Sequence, residues 1–470
     1  MRTATDDRAA RVRFRRAITL MVLTLVAPGS AQLIAGNQRV GRIALRIWLG
    51  LLAVLLVLTL TGLAWHGMVF TLASDTAVLA VVRFGLMLLA VGWAALLMDA
   101  WRLGNPLTLR QGQRIAIVGV NGLMCFTVAG TLLFGAHVVG VQRDLIASMF
   151  GDGEATAATA GRYNVLLMGG DAGAGRVGLR PDSLTVASVD AESGRTVLVS
   201  LPRNMSSFPF PKGSEMHREF PQGWDCDDCY LNAISTWATD HPEVFKGSDT
   251  PGIDATIQGV EGITGLRINY WAMVDMAGFT GLVDAVGGVE LNVRDRIPVG
   301  GLGSDVTGYI EPGVRKLDGH DTLWFARARE GSDDYSRMAR QKCVMSAMLQ
   351  QVSPQTALKN FSSIAEAGSA MLSTNVPGSE VDTFAQLALK ARSEPIATVS
   401  LVPPLINTAE PDIELVQNRV QNAIDRAEGK PAPKPSRKRT TTPTTMTGGS
   451  LGSMSDGYAA NQAEDLGATC

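Results

Sequence analysis

The chain has 470 residues, 46% of them hydrophobic and 18% charged, with a formal net charge of −2. That length allows two or three domains, and so apolar a composition places part of the chain in lipid. The charge balance excludes a general nucleic-acid binder, which would carry a basic excess to neutralise phosphates, so no nucleic-acid partner is expected.

Residues 1–16 form an arginine-rich segment, and residues 17–141 read as a membrane region. Three stretches, Trp48–Trp65, Ala77–Leu97 and Ile115–Val141, reach the roughly 20 apolar residues that a bilayer crossing needs. Ala17–Ala35 is also apolar but is broken by Pro28-Gly29. Lysine and arginine near span ends favour the cytoplasm. Residues 1–16, then Arg39, Arg42 and Arg46, then Arg102, Arg110 and Arg114 therefore belong inside. His66–Thr76 has no Lys or Arg and belongs outside. With both flanks inside, residues 17–35 enter and return, or lie at the interface, turning at Pro28-Gly29. A cleaved signal peptide ending near Ser30-Ala31 is the competing reading, and it would strand Arg39, Arg42 and Arg46 outside. Arg83, within the second span, would snorkel to the interface. Three crossings put everything after about residue 142 outside the cell, on a multi-pass membrane protein with a cytoplasmic N-terminus.

Residues 142–162 are small and polar and read as a linker to a folded domain at 163–427. Asn164–Met168 is a short apolar run that predicts a buried strand. Leu184–Val189 and Thr196–Leu201, separated by Asp190–Gly194, predict a hairpin. Helical periodicity follows at Leu231–Thr239, Ile253–Ile263 and Met276–Val286, and extended runs at Ile268–Val274 and Val289–Val293. Further helices are predicted over Asp318–Arg329, Asp334–Gln351, Gln355–Met371 and Val381–Lys390. The alternation implies an α/β domain, a sheet covered by helices. Residues 428–470, rich in Pro, Thr, Ser, Gly and Lys, cannot bury enough apolar surface to fold and are predicted disordered. Lys430, Lys434, Arg437, Lys438 and Arg439 read as a solvated basic patch there, with contact to an anionic polymer as the other reading.

The chain has five cysteines, of which Cys125 lies in a predicted span. For Cys226-Asp-Asp-Cys229 an oxidising compartment favours a disulfide. Zinc would need two more ligands, and Cys343, Cys470 and the scattered histidines form no second pair at a zinc-site spacing. Cys343 falls on a predicted helix as a core residue, and Cys470 is free to pair with another chain.

The residues that carry chemistry are arginines and carboxylates at short spacings. The loop Gly169-Gly170-Asp171 to Gly175 ends a strand but lacks the Lys-Ser/Thr of a P-loop. Asp171 and Asp182 stand on either side of this loop and can share a magnesium or manganese ion, although an aspartate also simply caps turns. Arg180 precedes Asp182, and Arg203 ends a strand, where functional groups often project. Arg327 and Arg329 cannot share one helical face, so the backbone has to leave the helix there if both line one cavity. Asp334, Arg337 and Gln341 share a face, as an exposed ion-pair stripe would too. Guanidinium forks match phosphate oxygens, so several converging from separate segments indicate a polyanion site.

In order, NVLLMGGD, RPDSLTVASVD, VLVSLPRN, LNAISTWA, INYWAMVDMAGFTGLVDAVGGVELNV, LDGHDTLWFARAR and DYSRMARQ resemble the LytR-CpsA-Psr family of cell-wall glycopolymer ligases over about residues 162–425. The Ala27-Pro-Gly-Ser-Ala-Gln32 hairpin and the spans after it are similar to actinobacterial members. The resemblance implies an α-β-α sandwich with a hydrophobic groove for a polyprenyl chain and an arginine-lined pocket for its pyrophosphate. It implies magnesium on Asp171 and Asp182, and phosphates on Arg180, Arg203, Arg327 and Arg329. Asp334, Arg337 and Gln341 would line the reaction side, with Asp334 as base. The partners would be a polyprenyl-pyrophosphate-linked glycopolymer, a peptidoglycan acceptor and membrane lipid. Two residues depart from the family pattern: Asn204 stands where Asp is usual, and Tyr230 where Lys is frequent. The expected activity is transfer of the glycopolymer onto peptidoglycan through a phosphodiester. The alternatives are hydrolysis of polyprenyl pyrophosphate at the same site and a lipid-binding regulator without catalysis.

Overall fold

The computed structural model describes residues 4–64, 75–149, 155–170, 180–301, 303, 305–352, 372–430, 461, 466 and 470. The loop holding Asp171 and the predicted helix Gln355–Met371 lie outside them. The chain divides into two compact units, Met1–Ala147 and Ser148–Cys470.

The first unit is helical: α1 (Ala4–Val26), α2 (Ser30–Ala35), α3 (Gln38–Ala64), α4 (Thr76–Leu103) and α5 (Gln111–Met149). The expected turn is present. Pro28 brings no N–H to continue α1, and Gly29 takes φ +94°, where a Cβ would meet the Gly41 carbonyl oxygen at 2.5 Å. Gln32, fully buried, donates from Nε2 to Leu96 O and to Asp99 Oδ2, and Trp93 Nε1 donates to Thr24 O. Three helical stretches are long and apolar enough to cross a membrane: Gln38–Thr61, Thr76–Thr108 and Gln111–Asp144. They overlap the three predicted spans, and side chains such as Val54, Leu55 and Val57 stand exposed, as lipid-facing residues do. Arg83 lies across Gly140, where an added Cβ would meet its guanidinium carbon at 3.0 Å.

The second unit is built on a six-stranded sheet of order β10-β3-β2-β1-β4-β9. Its strands are β1 (Arg162–Gly170), β2 (Pro181–Asp190), β3 (Thr196–Leu201), β4 (Tyr270–Asp275), β9 (Leu372–Thr374) and β10 (Ala397–Ser400). The predicted hairpin forms: β2 and β3 pair antiparallel, with Leu184 opposite Leu201, and the Asp190 carboxylate accepts the Ser193 N–H in the turn. β3 is buried at all six positions, as a strand covered on both faces requires.

Helices cover both faces, which makes the α-β-α sandwich. On one face Leu166, Met168, Val186 and Val199 pack with Phe208, Phe210 and Trp224 and with α8 (Pro251–Thr264) and α13 (Ile413–Ala427). The short α6 (Glu215–Glu219) and α7 (Ile234–Asp240) precede α8 in the chain. On the other face Ala187, Leu198, Val283, Phe325, Ala339 and Val344 form a second core. Its helices are α9 (Met276–Ala285), α10 (Gly319–Arg327) and α11 (Asp334–Gln351). Two small pairs, β5 (Val289–Val293) with β8 (Gly313–Leu317) and β6 (Ile297–Gly300) with β7 (Val306–Ile310), flank this core, and α12 (Val381–Ala391) precedes β10.

Three expectations are corrected. The segment read as a linker from 142 is helical to Met149, and its last residue, Arg162, is buried in β1 against Ser188 and Glu428. Residues 428–470 are not free throughout: Asn461 and Leu466 are buried, and Cys470 is bonded to Cys343. One leucine and one cysteine anchor a composition that otherwise reads as unfolded. Cys470 thus pairs within its own chain, and Cys343 is a bridge rather than only core. Cys226 and Cys229 are disulfide-bonded, as their compartment predicted.

Candidate active site

The sheet and two helix termini bring the charged residues together. Because β2 and β3 run antiparallel with Leu184 opposite Leu201, Asp182 and Arg203 come to neighbouring positions at one end of the hairpin. Arg203 donates to Asp182 Oδ1 at 2.5 Å. The backbone of Arg203 is held in turn, its carbonyl accepting the Asn232 N–H. On the helical side, Asp333 caps α11 by accepting from Ser336 N and Oγ, which presents Asp334 in the first turn.

Asp334 is the hub. Its Oδ2 accepts from Arg337 at 3.1 Å, while its Oδ1 lies 3.5 Å from Arg203 Nε and 3.6 Å from a terminal nitrogen of Arg329. Oδ1 is buried and takes no hydrogen bond among the described residues. Arg337 also donates to the Asp182 carbonyl at 2.8 Å. Burial pushes the Asp182 carboxyl up, but the Arg203 hydrogen bond and the charges of Arg203, Arg337 and Arg329 outweigh it and leave it below its ordinary value. Burial pulls the Arg337 guanidinium down, with Asp334 opposing. One turn along α11, Gln341 accepts from Ser183 Oγ at 2.9 Å, tying the helix to β2 beside Asp182. A cleft of about 360 Å³ opens here, lined by Arg203, Asn204, Arg329, Glu330, Ser332 and Asp334.

Asp182, Arg203, Arg329, Asp334 and Arg337 therefore converge, and Gln341 stands next to them. The helix α10 ends at Arg327, and Ala328 turns extended at φ −56°, ψ 133°, so the backbone does leave the helix between the two arginines. Only Arg329 joins the cluster. Arg327 lies over the Trp324 ring, 4.9 Å from its centroid, and Arg180 is exposed at the start of β2. Asp171 is outside the described residues. Asp182 gives one carboxylate oxygen to Arg203 and keeps the other outside that pair. Magnesium takes one or two carboxylates besides water, and the second oxygen of Asp182 is of the type that could serve as one.

Arg340, to which the sequence reading assigns no role, has one in the structure. Fully buried, it donates from Nε to Phe325 O at 2.6 Å and from a terminal nitrogen to Ala328 O. A guanidinium on the last carbonyls of α10 satisfies acceptors that a helix end leaves open. It fixes the turn from which Arg329 projects. No spacing rule could show this, because the contact joins two helices. Of the two departures from the family pattern, Asn204 lines the cleft and Tyr230 is exposed beside it in sequence to the brace at Asn232.

A set of guanidiniums converges at one end of the sheet of an α/β unit, in a chain with three helical stretches long and apolar enough to cross a membrane. The chain belongs to the LytR_cpsA_psr family, whose model matches residues 145–425, more than half of its length. It is 29% identical over 238 residues to the polyisoprenyl-teichoic acid–peptidoglycan teichoic acid transferase TagU of Enterococcus faecalis, covering 49% of this chain and 66% of that one. It is 30% identical over 250 residues to the probable cell wall biosynthesis protein LcpB of Corynebacterium glutamicum, covering 52% and 50%. The match to biofilm regulatory protein A of Streptococcus mutans is 25% identical and covers 48% of this chain and 53% of that protein. The chain thus spans about half to two thirds of the relatives it matches. Among solved structures, Bacillus subtilis TagV is similar at a TM-score of 0.43 and 24% identity, covering 58% of this chain and 99% of that one.

Proposed function

We propose that this chain is a membrane-held phosphotransferase that moves a glycopolymer from a polyprenyl-pyrophosphate carrier onto peptidoglycan through a phosphodiester. The observation that carries the reading is the sharing of Asp334 among Arg203, Arg329 and Arg337 at an open cleft. The names of the relatives as teichoic acid transferases and cell wall biosynthesis proteins support it.

An acceptor hydroxyl oxygen would attack the sugar-side phosphorus, and the bond from that phosphorus to the bridging oxygen would break. Polyprenyl monophosphate leaves with the electron pair, and the hydroxyl proton passes to Asp334 Oδ1. At 3.5 and 3.6 Å, Arg203 and Arg329 hold that oxygen loosely, and entering phosphates compete for both guanidiniums. Each phosphate bond gained would expose Oδ1 to the acceptor. Fixed cations neutralising the leaving phosphate are where such a transfer gains most of its rate. Asp182, with Asp171, would hold magnesium, which supplies further positive charge against the phosphates. The lipid chain would leave the cleft along an apolar groove, as the family resemblance implies, and the arginine distribution would put this unit on the outer face.

The test is a reconstituted assay in which the full chain in detergent receives polyprenyl-pyrophosphate glycan, magnesium and peptidoglycan. Product that appears only with acceptor, and falls about 10²–10³-fold in Arg329→Ala, is expected. Release of free glycan phosphate at the same rate without acceptor would make the protein a hydrolase instead.

A further inference from the structure

Asn461 and Cys470 each touch the helix that carries the reaction-side residues, at Tyr335 and at Cys343. Asn461 is buried and bridges two elements: its Nδ2 donates to Tyr335 O at 2.7 Å, and its Oδ1 accepts from Ser400 Oγ at 3.4 Å. Tyr335 follows Asp334 in the first turn of α11, and Ser400 ends β10. Leu466 is fully buried in the core beneath α11, and its N–H bonds to Ile396 O, just before β10. Cys470 closes the segment with a disulfide to Cys343, two turns after Tyr335, across a sequence separation of 127.

We propose that Asn461, Leu466 and Cys470 act as a clasp that positions α11 over the sheet, so that the placement of Asp334, Arg337 and Gln341 depends on the oxidation of Cys343 and Cys470. This rests on the phosphotransfer reading above only for its consequence in activity. Three different interactions, a side-chain bridge, an apolar anchor and a covalent bond, tie these residues to α11, to β10 and to the core they share. The bridge lies where it matters, one residue from the carboxylate shared by three arginines. The bond forms by thiol–disulfide exchange: the two thiols give two electrons and two protons to an oxidised dithiol carrier outside the cell, whose own disulfide is reduced. Cys343 is 3% exposed, so the bridge closes as the segment docks and is shielded once it has.

The test uses the full chain in detergent, with disulfide mapping by mass, amide hydrogen exchange over Ser336–Gln341, and turnover. Mapping should give Cys343 joined to Cys470 of the same molecule. Asn461→Ala, which keeps the bridge, and the Cys343→Ala/Cys470→Ala pair should each speed exchange over Ser336–Gln341 about tenfold. Both should lower kcat more than they raise KM, because a displaced Asp334 and Gln341 affect the reaction side. Unchanged exchange in both variants would overturn the clasp, as would Cys470 joined to a second copy. If α11 loosens as expected while the wild-type chain transfers no polymer, the clasp stands and the phosphotransfer reading falls.

Discussion

The two faces of the central sheet are packed by different means. One is apolar and aromatic: Phe208 meets Phe210, and Phe210 and Phe220 each meet Trp224, edge to face, with the Phe220 and Trp224 rings 4.8 Å apart. The other starts apolar at Ala187 and Leu198 and turns polar toward the cleft. There Thr185 pairs with Ser200, and Ser200 with Ser400, across three strands. Gln341 accepts from Ser183 Oγ, two residues before Thr185, and Lys342 Nζ donates to Ser400 Oγ. Buried polar groups are tolerated only when bonded, so this face specifies one position of α11 where a greasy face would accept several. The aromatic face should govern stability, and the polar face the geometry of the site.

The largest effect should separate these roles. Phe210→Ala empties a buried aromatic position and should cost about 3–5 kcal/mol in denaturant unfolding. The folded fraction should keep its kcat; a comparable loss of kcat would mean that the faces are not separable. Arg340→Lys makes the reverse case. It keeps the charge but not the planar fork that spans Phe325 O and Ala328 O, so Arg329 should shift and turnover fall about tenfold. Arg327→Ala should fall by less than Arg329→Ala, since Arg327 lies on Trp324.

The smallest effect is a pH dependence. Burial pulls the Lys342 amine down to about 7. Its folded value lies below its unfolded one, so the unfolded chain binds the extra proton between about 7 and 10.5. The lysine therefore costs stability fully below about pH 7, and the cost is relieved as pH rises through that window. Melting temperatures measured from pH 7 upward should rise less steeply in Lys342→Met than in the wild type. Parallel slopes would show that Lys342 does not titrate there.

Much of this was legible in the chain. The membrane-length helices follow from apolar runs and loop arginines, and the hairpin that aligns Asp182 with Arg203 follows from two β-rich runs around Asp190–Gly194. The two-residue spacing of Arg327 and Arg329 tied a break in the helix to both lining one cavity; the break is present, but of the two Arg329 alone joins the cluster. What stayed hidden depends on tertiary contact. Arg340 looks like any helical arginine until the end of α10 is seen against it. The flanking strands β6 and β7 are short, and β7 is half exposed, so their pattern is weak. Residues 428–470 have the composition of an unfolded tail, and only the sites that receive Leu466 and Cys470 reveal that part of it docks.

The central claim is that Arg203 and Arg329, held around Asp334, grip a pyrophosphate. The most direct measurement is binding of polyprenyl pyrophosphate with magnesium to the full chain in detergent, compared with Arg203→Ala and Arg329→Ala. Tight binding by the wild type, weakened about tenfold or more in each variant, is predicted. Equal affinity in all three would contradict it.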